Sequence, residues 1–290
     1  MGDGSIVAIH RDQPPGAGGE ASPVGRALVR LGKGGDVRFR TAAPVHHAVD
    51  ARTPSRPLLA LAYAVRTDRR LHGRPVRDDV LLELDRVGRV RRRHSVLDLF
   101  ERSSAFRDVL DRGAAVDEDP QADDFDLLHT NAVRWMRPVR AGLLYEADRV
   151  LLTVRNQNLI AIASLQEGVL WTYGRDELQQ PHDASLLDNG HILVFDNRPT
   201  GDHSRVLEID PTTNAIVWSF EGTGEHTFHS VRRGAAERLP NGNTLITSSG
   251  EGLILEVTHA GEVVWKYRNT DEGPAGGPVA ILRAERYEGR

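Results

Sequence analysis

The sequence predicts an all-β chain: a β-propeller of four-stranded blades, five or six in number, with one helical insertion. Three observations predict it. Histidine-led stretches recur at His47, His129, His182 and His229. Each is followed by a β-rich run, which in three cases ends in a Trp-x-aromatic strand at Trp171, Trp218 and Trp265. Hairpin turns fall at matching places in successive units. Four-stranded units of ~40–50 residues are the repeat that propeller blades require.

The elements follow in chain order. Ala27 to Phe39 matches only the outer half of a unit. His47 to about His94 is a full unit, with Val80–Leu84 and Gly88–Arg91 as its outer hairpin. His129 to Gly174 is the next. His182 to Gly222 and His229 to Asn269 each give four strand signals. Asp188-Asn189-Gly190 and Pro240-Asn241-Gly242 close their first hairpins, since Asn-Gly tolerates positive φ. Asp210-Pro211-Thr212 and Ala260-Gly261 close the later ones. These are five recognisable repeats, and a sixth, degenerate blade is expected near the N-terminus if the ring has six. Pro278 to Tyr287 is expected to supply the strand missing from the Ala27–Phe39 sheet, so that the ends meet and no edge is left exposed. All 290 residues are read as one domain. The three tryptophans are expected to pack outer strands between blades.

One insertion breaks the series. Val96, Leu99, Phe100, Phe106, Val109 and Leu110 recur at helical spacing, and Ser95 can cap the start. A helix is expected between Val96 and Gly113, followed by an acidic loop over Asp117–Asp126. Together they form a spacer or a lid over one mouth.

Net charge is −4 with both signs interspersed, which argues against a nucleic-acid surface. The basic tract Arg86–Arg93 reads as a solvated strand pair. There is no cysteine, so thiol chemistry and cysteine-ligated metals are excluded. No run is apolar and long enough to span a bilayer as a helix. Ile6 to Ile9 is too short for a signal-peptide core. A cytoplasmic location is expected, with secretion as the alternative.

In a propeller the innermost strands line the central channel. Histidines at their starts form a ring at one mouth: His47, His129, His182 and His229, with His46 and His226 nearby. Such a ring can bind a transition metal, do acid–base work, or supply a nucleophilic imidazole nitrogen. No carboxylate pattern is seen beside it, so no metal and no cofactor is expected. Arg155, Arg198, Arg205, Arg232 and Arg233 crowd the same rim. Histidines with arginines suit a tetrahedral oxyanion.

The segments DLLHTNAVRWM, VLLTVRNQNLIAI, PHDASLLDNGHILVFDN, SRVLEIDPTTNAIVWSFEG and RGAAERLPNGNTLITSSGEGLILEVTHAGEVVWKY resemble bacterial arylsulfate sulfotransferases and the wider arylsulfotransferase-like propellers. The likeness is strong over Asp126–Asn269 and weak over Ala27–Leu99. It implies a six-bladed propeller enzyme that moves a sulfuryl group from an aryl sulfate donor to a phenolic acceptor through a sulfohistidine, independently of 3′-phosphoadenylyl sulfate. It implies catalytic roles for His129, His182 and His226, with His226 as nucleophile and His229 as runner-up. Arg198 or Arg205 would hold the sulfuryl group, with Arg155, His47 and His229 also at the substrate. The signal peptide, extra β domain and disulfide of periplasmic members are not visible here. Two other readings stay open: a propeller that binds a small anion or a protein partner without catalysis, and a propeller enzyme of different chemistry. Small-molecule partners are expected, with no nucleic acid and no membrane.

Overall fold

In the computed structural model, residues 4–10, 26–51, 55–67, 75–110, 124–222, 224–273 and 277–286 are described. The fold is a β-propeller, and among the described residues it comprises five antiparallel sheets and a single α-helix. The first sheet has three strands, β1 (Ile6–His10), β2 (Ala27–Leu31) and β3 (Val37–Ala42). The second is β4 (Val45–Asp50), β5 (Leu58–Thr67), β6 (Pro75–Leu84) and β7 (Val90–Ser95). The third is β8 (Thr130–Trp135), β9 (Arg149–Val154), β10 (Leu159–Ser164) and β11 (Gly168–Tyr173). The fourth is β12 (His182–Leu186), β13 (Ile192–Asp196), β14 (Arg205–Asp210) and β15 (Ala215–Phe220). The fifth is β16 (Ala235–Arg238), β17 (Thr244–Ser248), β18 (Leu253–Val257) and β19 (Val263–Arg268). Each strand pairs with its sequence neighbour, so each blade is a meander. The five expected repeats are these five sheets. A sixth blade is not found among the described residues.

The chain divides into two compact units: residues 1–136, 147–152 and 162–170, and residues 137–146, 153–161 and 171–290. The third blade contributes residues to both. The first unit's core includes Leu28, Val45, Ala60, Leu82 and Leu84. That of the second gathers Leu193, Phe195, Val206, Phe220, Phe228, Ile246 and Leu255 between the fourth and fifth blades.

Local chemistry accounts for the meanders. Gly190 and Gly242 take φ of +86° at the Asn-Gly turns, a region closed to most side chains. Glu208 on β14 then accepts from the turn residue Asn189 (2.9 Å), lies 2.7 Å from His191, and pairs with Arg238 of the next blade (2.6 Å). Glu256 on β18 repeats the pattern with Asn241 and Asn243, and its arginine is Arg286 from the C-terminal segment. Trp171 and Trp218 pack as expected, their indole N–H groups reaching Asn214 and the His259 carbonyl in the following units. Trp265 is exposed.

Two expectations are corrected. The helix α1 covers only Val96–Arg102. Ser95 caps it by accepting the Asp98 N–H at 3.0 Å, and Ser103 ends it. A 3₁₀ turn follows at Arg107–Leu110, and residues 111–123 lie outside the described set. The buried face of α1 is Val96, Leu97, Leu99 and Phe100. Arg102 and Ser103 donate to the carbonyls of Leu165 and Val169 at the start of β11, the outermost strand of its blade. The helix therefore packs beside outer strands and is not a lid over inner ones.

The second correction concerns the C-terminus. Residues 278–286 enter no strand, and the first sheet keeps three strands. Instead the segment docks on the fifth blade. Ala284 N–H donates to Thr247 Oγ1 (3.1 Å), as Ala184 N–H donates to Thr153 Oγ1 (3.0 Å) earlier in the unit. With Arg286 standing where Arg238 stands, the segment takes the place of a next inner strand. It does so through side chains, and Ile281 and Ala284 cover Leu239, Leu245 and Ile254.

Candidate functional site

Each unit holds its own group of expected histidines, His226 excepted. In the first unit, His47 and His129 sit at equivalent points, with φ of +50° and +48°. Non-glycine residues in this region are held there by their surroundings, at a cost of about 1–3 kcal/mol each. Their rings meet edge to face at 5.0 Å. The Nδ1 atoms of His46 and His47 are 2.8 Å apart, so one ring donates and the other accepts.

Two carboxylates stand beside these rings, contrary to the expectation that none would. Asp126 accepts both the backbone N–H of His129 (3.0 Å) and its Nδ1 (2.7 Å). That fixes the Nδ1–H tautomer, leaving the lone pair of a neutral ring on Nε2. Arg77 binds Asp126 (3.2 Å) and Asp124 (2.7 Å), and lies over Tyr63. Asp79 is buried, 3.4 Å from His46 Nε2, and accepts the Thr130 N–H at 2.6 Å. Burial pushes the Asp79 carboxyl up, but hydrogen bonding to His46, its charge, and Thr130 N–H together hold it below the ordinary value. The cavity bounded by His46, His47, Tyr63, Arg77, Asp79, Asp126 and His129 measures about 20 Å³. That is room for one water and not for an aromatic ring.

Asp126 reaches His129 because Phe125 pairs with β6: its N–H donates to the Pro75 carbonyl and its own carbonyl accepts from Arg77, both at 2.9 Å. The end of the acidic loop is thus stitched to a strand. Asp126 three residues before His129 was the available signal.

In the second unit the register differs. Asp183, not His182, occupies the left-handed position, with φ of +51°, so His182 lies one residue earlier in the repeat than His129. The His182 ring is buried, and its Nδ1 faces two acceptors, Asn197 Oδ1 at 2.7 Å and the Gln180 carbonyl at 3.0 Å. The orientation of Asn197 is settled by its other end, where Nδ2 donates to the carbonyls of Ser230 (2.6 Å) and Arg233. Its oxygen must therefore face His182, whose Nδ1 must carry the proton. In the neutral ring Nε2 holds the lone pair.

Arg155 is close by. Its guanidinium donates to Asn156 Oδ1 (2.8 Å) and Gln180 Oε1 (2.7 Å), both neutral amides. Arg205 is differently placed, with Nε on the buried carboxylate of Asp196 (2.8 Å) and Nη2 on the Glu177 carbonyl (2.6 Å). Burial pushes Asp196 up, against the Gln179 N–H and Arg205. The Arg198 side chain lies 3.0 Å from His203, itself 2.8 Å from Glu221. The Arg198 carbonyl accepts from His229 Nε2 (3.2 Å), and the His229 N–H donates to Glu251 (2.9 Å). His229 is in a loop ahead of β16 and does not begin a strand.

His226, expected as the nucleophile, is not brought into this cluster. It ends a 3₁₀ turn, 3.6 Å from the exposed Glu225, and its Nδ1 is buried without a hydrogen-bond partner. The Glu225 carbonyl lies 3.5 Å from Lys266 on β19, the outermost strand of its blade. The turn is thus drawn toward the outer edge, away from the inner-strand ends.

A larger groove of about 640 Å³ lies elsewhere in this unit, lined by Arg137, Asp188, Asn189, Arg238, Pro240 and His259 among others. It is at the turn end of β12, opposite His182, and none of the expected site residues lines it. The protonation pattern, not cavity size, marks the candidate chemistry. Among the described residues, no three His, Asp or Glu side chains converge in a metal-holding geometry.

One solved structure agrees with this architecture. A structure of a Bacteroides caccae protein of unknown function superposes with a TM-score of 0.54 at 15% identity, covering 84% of this chain and 75% of the other. At that identity the likeness carries the fold alone. A catalytically inactive variant of virginiamycin B lyase from Staphylococcus aureus, solved with quinupristin, gives 0.48 at 11% identity, over 84% of this chain and 63% of that one. No curated protein matches the sequence. The model of the arylsulfotransferase (ASST) family matches residues 60–270, from the second blade to the end of the fifth. The chain belongs to the arylsulfotransferase family.

Proposed function

We propose that the protein transfers a sulfuryl group from an aryl sulfate ester to a phenolic acceptor through a covalent sulfohistidine, and that His182 carries the group. One observation carries the assignment: the Nδ1–H of His182 is held by Asn197 and Gln180, which leaves Nε2 as the nucleophilic nitrogen. Nε2 attacks sulfur, the N–S bond forms, and the S–O bond to the aryl group breaks. The electron pair departs on the phenolate oxygen. The sulfated ring is cationic, and its Nδ1–H then faces two carbonyl oxygens that stabilise that charge. In the second half the acceptor phenol gives up its proton to solvent or a base and attacks sulfur. The N–S bond breaks and Nε2 recovers its pair.

Arg155, which shares Gln180 with His182, is the arginine assigned to the sulfuryl oxygens. Arg205 is already committed to Asp196. His129 has its tautomer fixed by Asp126 in the same sense and is the second histidine able to take the group.

The test is intact-protein mass spectrometry after brief exposure to p-nitrophenyl sulfate without acceptor. The wild type, His129→Ala and His226→Ala should gain one sulfuryl group, and His182→Ala should not. Loss of the adduct in another variant, with His182→Ala still labelled, moves the nucleophile to that residue. A wild type that neither gains the mass nor releases p-nitrophenol would indicate an anion-binding propeller without catalysis.

A further inference from the structure

We infer that the C-terminal segment is a strap that positions His182, and that Arg283 is the residue through which it acts. This rests on the sulfuryl-transfer reading for its catalytic consequence and on the second unit's geometry for its placement. After β19 the chain turns back across the fifth blade. The Val279 N–H donates to the Asp271 carbonyl (2.9 Å), and Ser249 Oγ donates to the Leu282 carbonyl (3.3 Å). The Ala284 N–H is tied to Thr247. Between these anchors Arg283 sends Nη1 to Asp183 Oδ1 at 2.6 Å and Nε toward Glu285 at 2.9 Å. Burial lowers the Arg283 pKa, but Asp183, Glu285 and Glu237 together raise it above its ordinary value, so the cation is held.

Asp183 is the residue after His182, in the left-handed region. The His182–Asp183 peptide is therefore clamped from two sides: Asn197 and Gln180 hold the ring before it, and Arg283 holds the side chain after it. The Arg283–Asp183 pair is mostly buried, with side chains 25% and 12% exposed, so deleting the cation leaves a carboxylate without its closest counter-charge. Arg283 touches no reacting atom. It acts through Asp183.

The experiment uses the full chain with Arg283→Met, Arg283→Lys and Asp183→Asn. Turnover is measured with p-nitrophenyl sulfate and phenol, folding by thermal melting, and the His182 ring by NMR of ¹⁵N-labelled histidine between about pH 5 and 9. In Arg283→Met, kcat should fall about tenfold or more while KM for the donor changes less than about twofold, the signature of lost positioning. Arg283→Lys, which keeps the charge, should recover part of the loss. The His182 signal should change from one Nδ1–H tautomer to a mixture in Arg283→Met. A folded Arg283→Met protein with wild-type kcat and an unchanged His182 signal overturns the inference. If Arg283→Met does not fold, Asp183→Asn provides the same readouts with the side-chain shape retained. If the wild type turns over no aryl sulfate, the sulfuryl reading fails, yet the NMR arm still decides the strap: an unchanged tautomer overturns it and a mixed one supports it.

Discussion

Replacing Asn197 by alanine removes three interactions at once from a fully buried position. The amide accepts from His182 at 2.7 Å and donates to the Ser230 carbonyl at 2.6 Å and to the Arg233 carbonyl. Each buried group left without a partner costs about 1–3 kcal/mol. Two are partly spared, since Ser230 O keeps a weak contact from Ser204 Oγ at 3.4 Å and His182 Nδ1 keeps the Gln180 carbonyl at 3.0 Å. The net loss should be about 2–5 kcal/mol, or roughly 4–10 °C in Tm for a chain of this size. Catalysis should fall further than stability explains, because the lone pair is no longer confined to Nε2. A kcat loss of about tenfold to a hundredfold is expected even well below the melting temperature. Calorimetry and steady-state turnover of p-nitrophenyl sulfate give both numbers. A variant that melts within about 1 °C of wild type with unchanged kcat would falsify the account of the network.

Three further outcomes follow. Arg155→Met should cut kcat/KM about 10²-fold or more, beyond what its lost hydrogen bonds to Asn156 and Gln180 cost in Tm, whereas Arg205→Met should mainly lower Tm by stranding Asp196; equal kinetic losses would contradict the distinction. Burial pushes the Asp78 carboxyl up to about 6, against Ser95, Leu97 N–H and Arg66, so the folded state holds this proton more tightly than the unfolded chain. Its contribution is present below about pH 4 and lost as pH rises through about 6, and relative to wild type Asp78→Asn should gain up to about 3 kcal/mol between those limits; urea melts at several pH values check it, and a flat difference refutes it. Deleting residues 279–290 strips Arg286 from Glu256 and uncovers Leu239, Leu245 and Ile254. The truncated chain should aggregate or melt at least about 5 °C lower, and a melt equal to the full chain would speak against docking.

The repeat was readable because blades are local. Asn189-Gly190, Asn241-Gly242, the Leu-Glu-Ile and Leu-Glu-Val strands and the Trp-x-aromatic strands specify hairpins that pair with sequence neighbours, and nothing distant is needed to recognise them. Ser95 marked the helix start for the same reason. The helix end was less legible: Phe106 and Leu110 continue the helical spacing, but Ser103 terminates the backbone after seven residues.

The site was legible only in part. His129, His182 and Arg155 stand at the starts or ends of strands, as the repeat suggested. The one-residue offset between His129 and His182 was invisible, because it depends on which residue takes the left-handed turn, and that is set by contacts with a preceding blade. Asp126 looked like the end of an acidic loop, and nothing in the sequence singled out Asp79. Strand pairing at Phe125 brings Asp126 to His129, and Asp79, which accepts the Thr130 N–H, stands beside His46. His226 and His229 differ by three residues, and only the path of the β15–β16 loop separates an outer-edge position from one at Arg198. Strands, turns and the residue types able to do sulfuryl chemistry could be read from the chain alone, since those are short-range properties. Which nitrogen of His182 carries the proton, and which carboxylate takes Arg205, emerged only on folding, because both depend on side chains that the tertiary structure brings together: Asn197, 15 residues from His182, and Asp196, nine residues from Arg205.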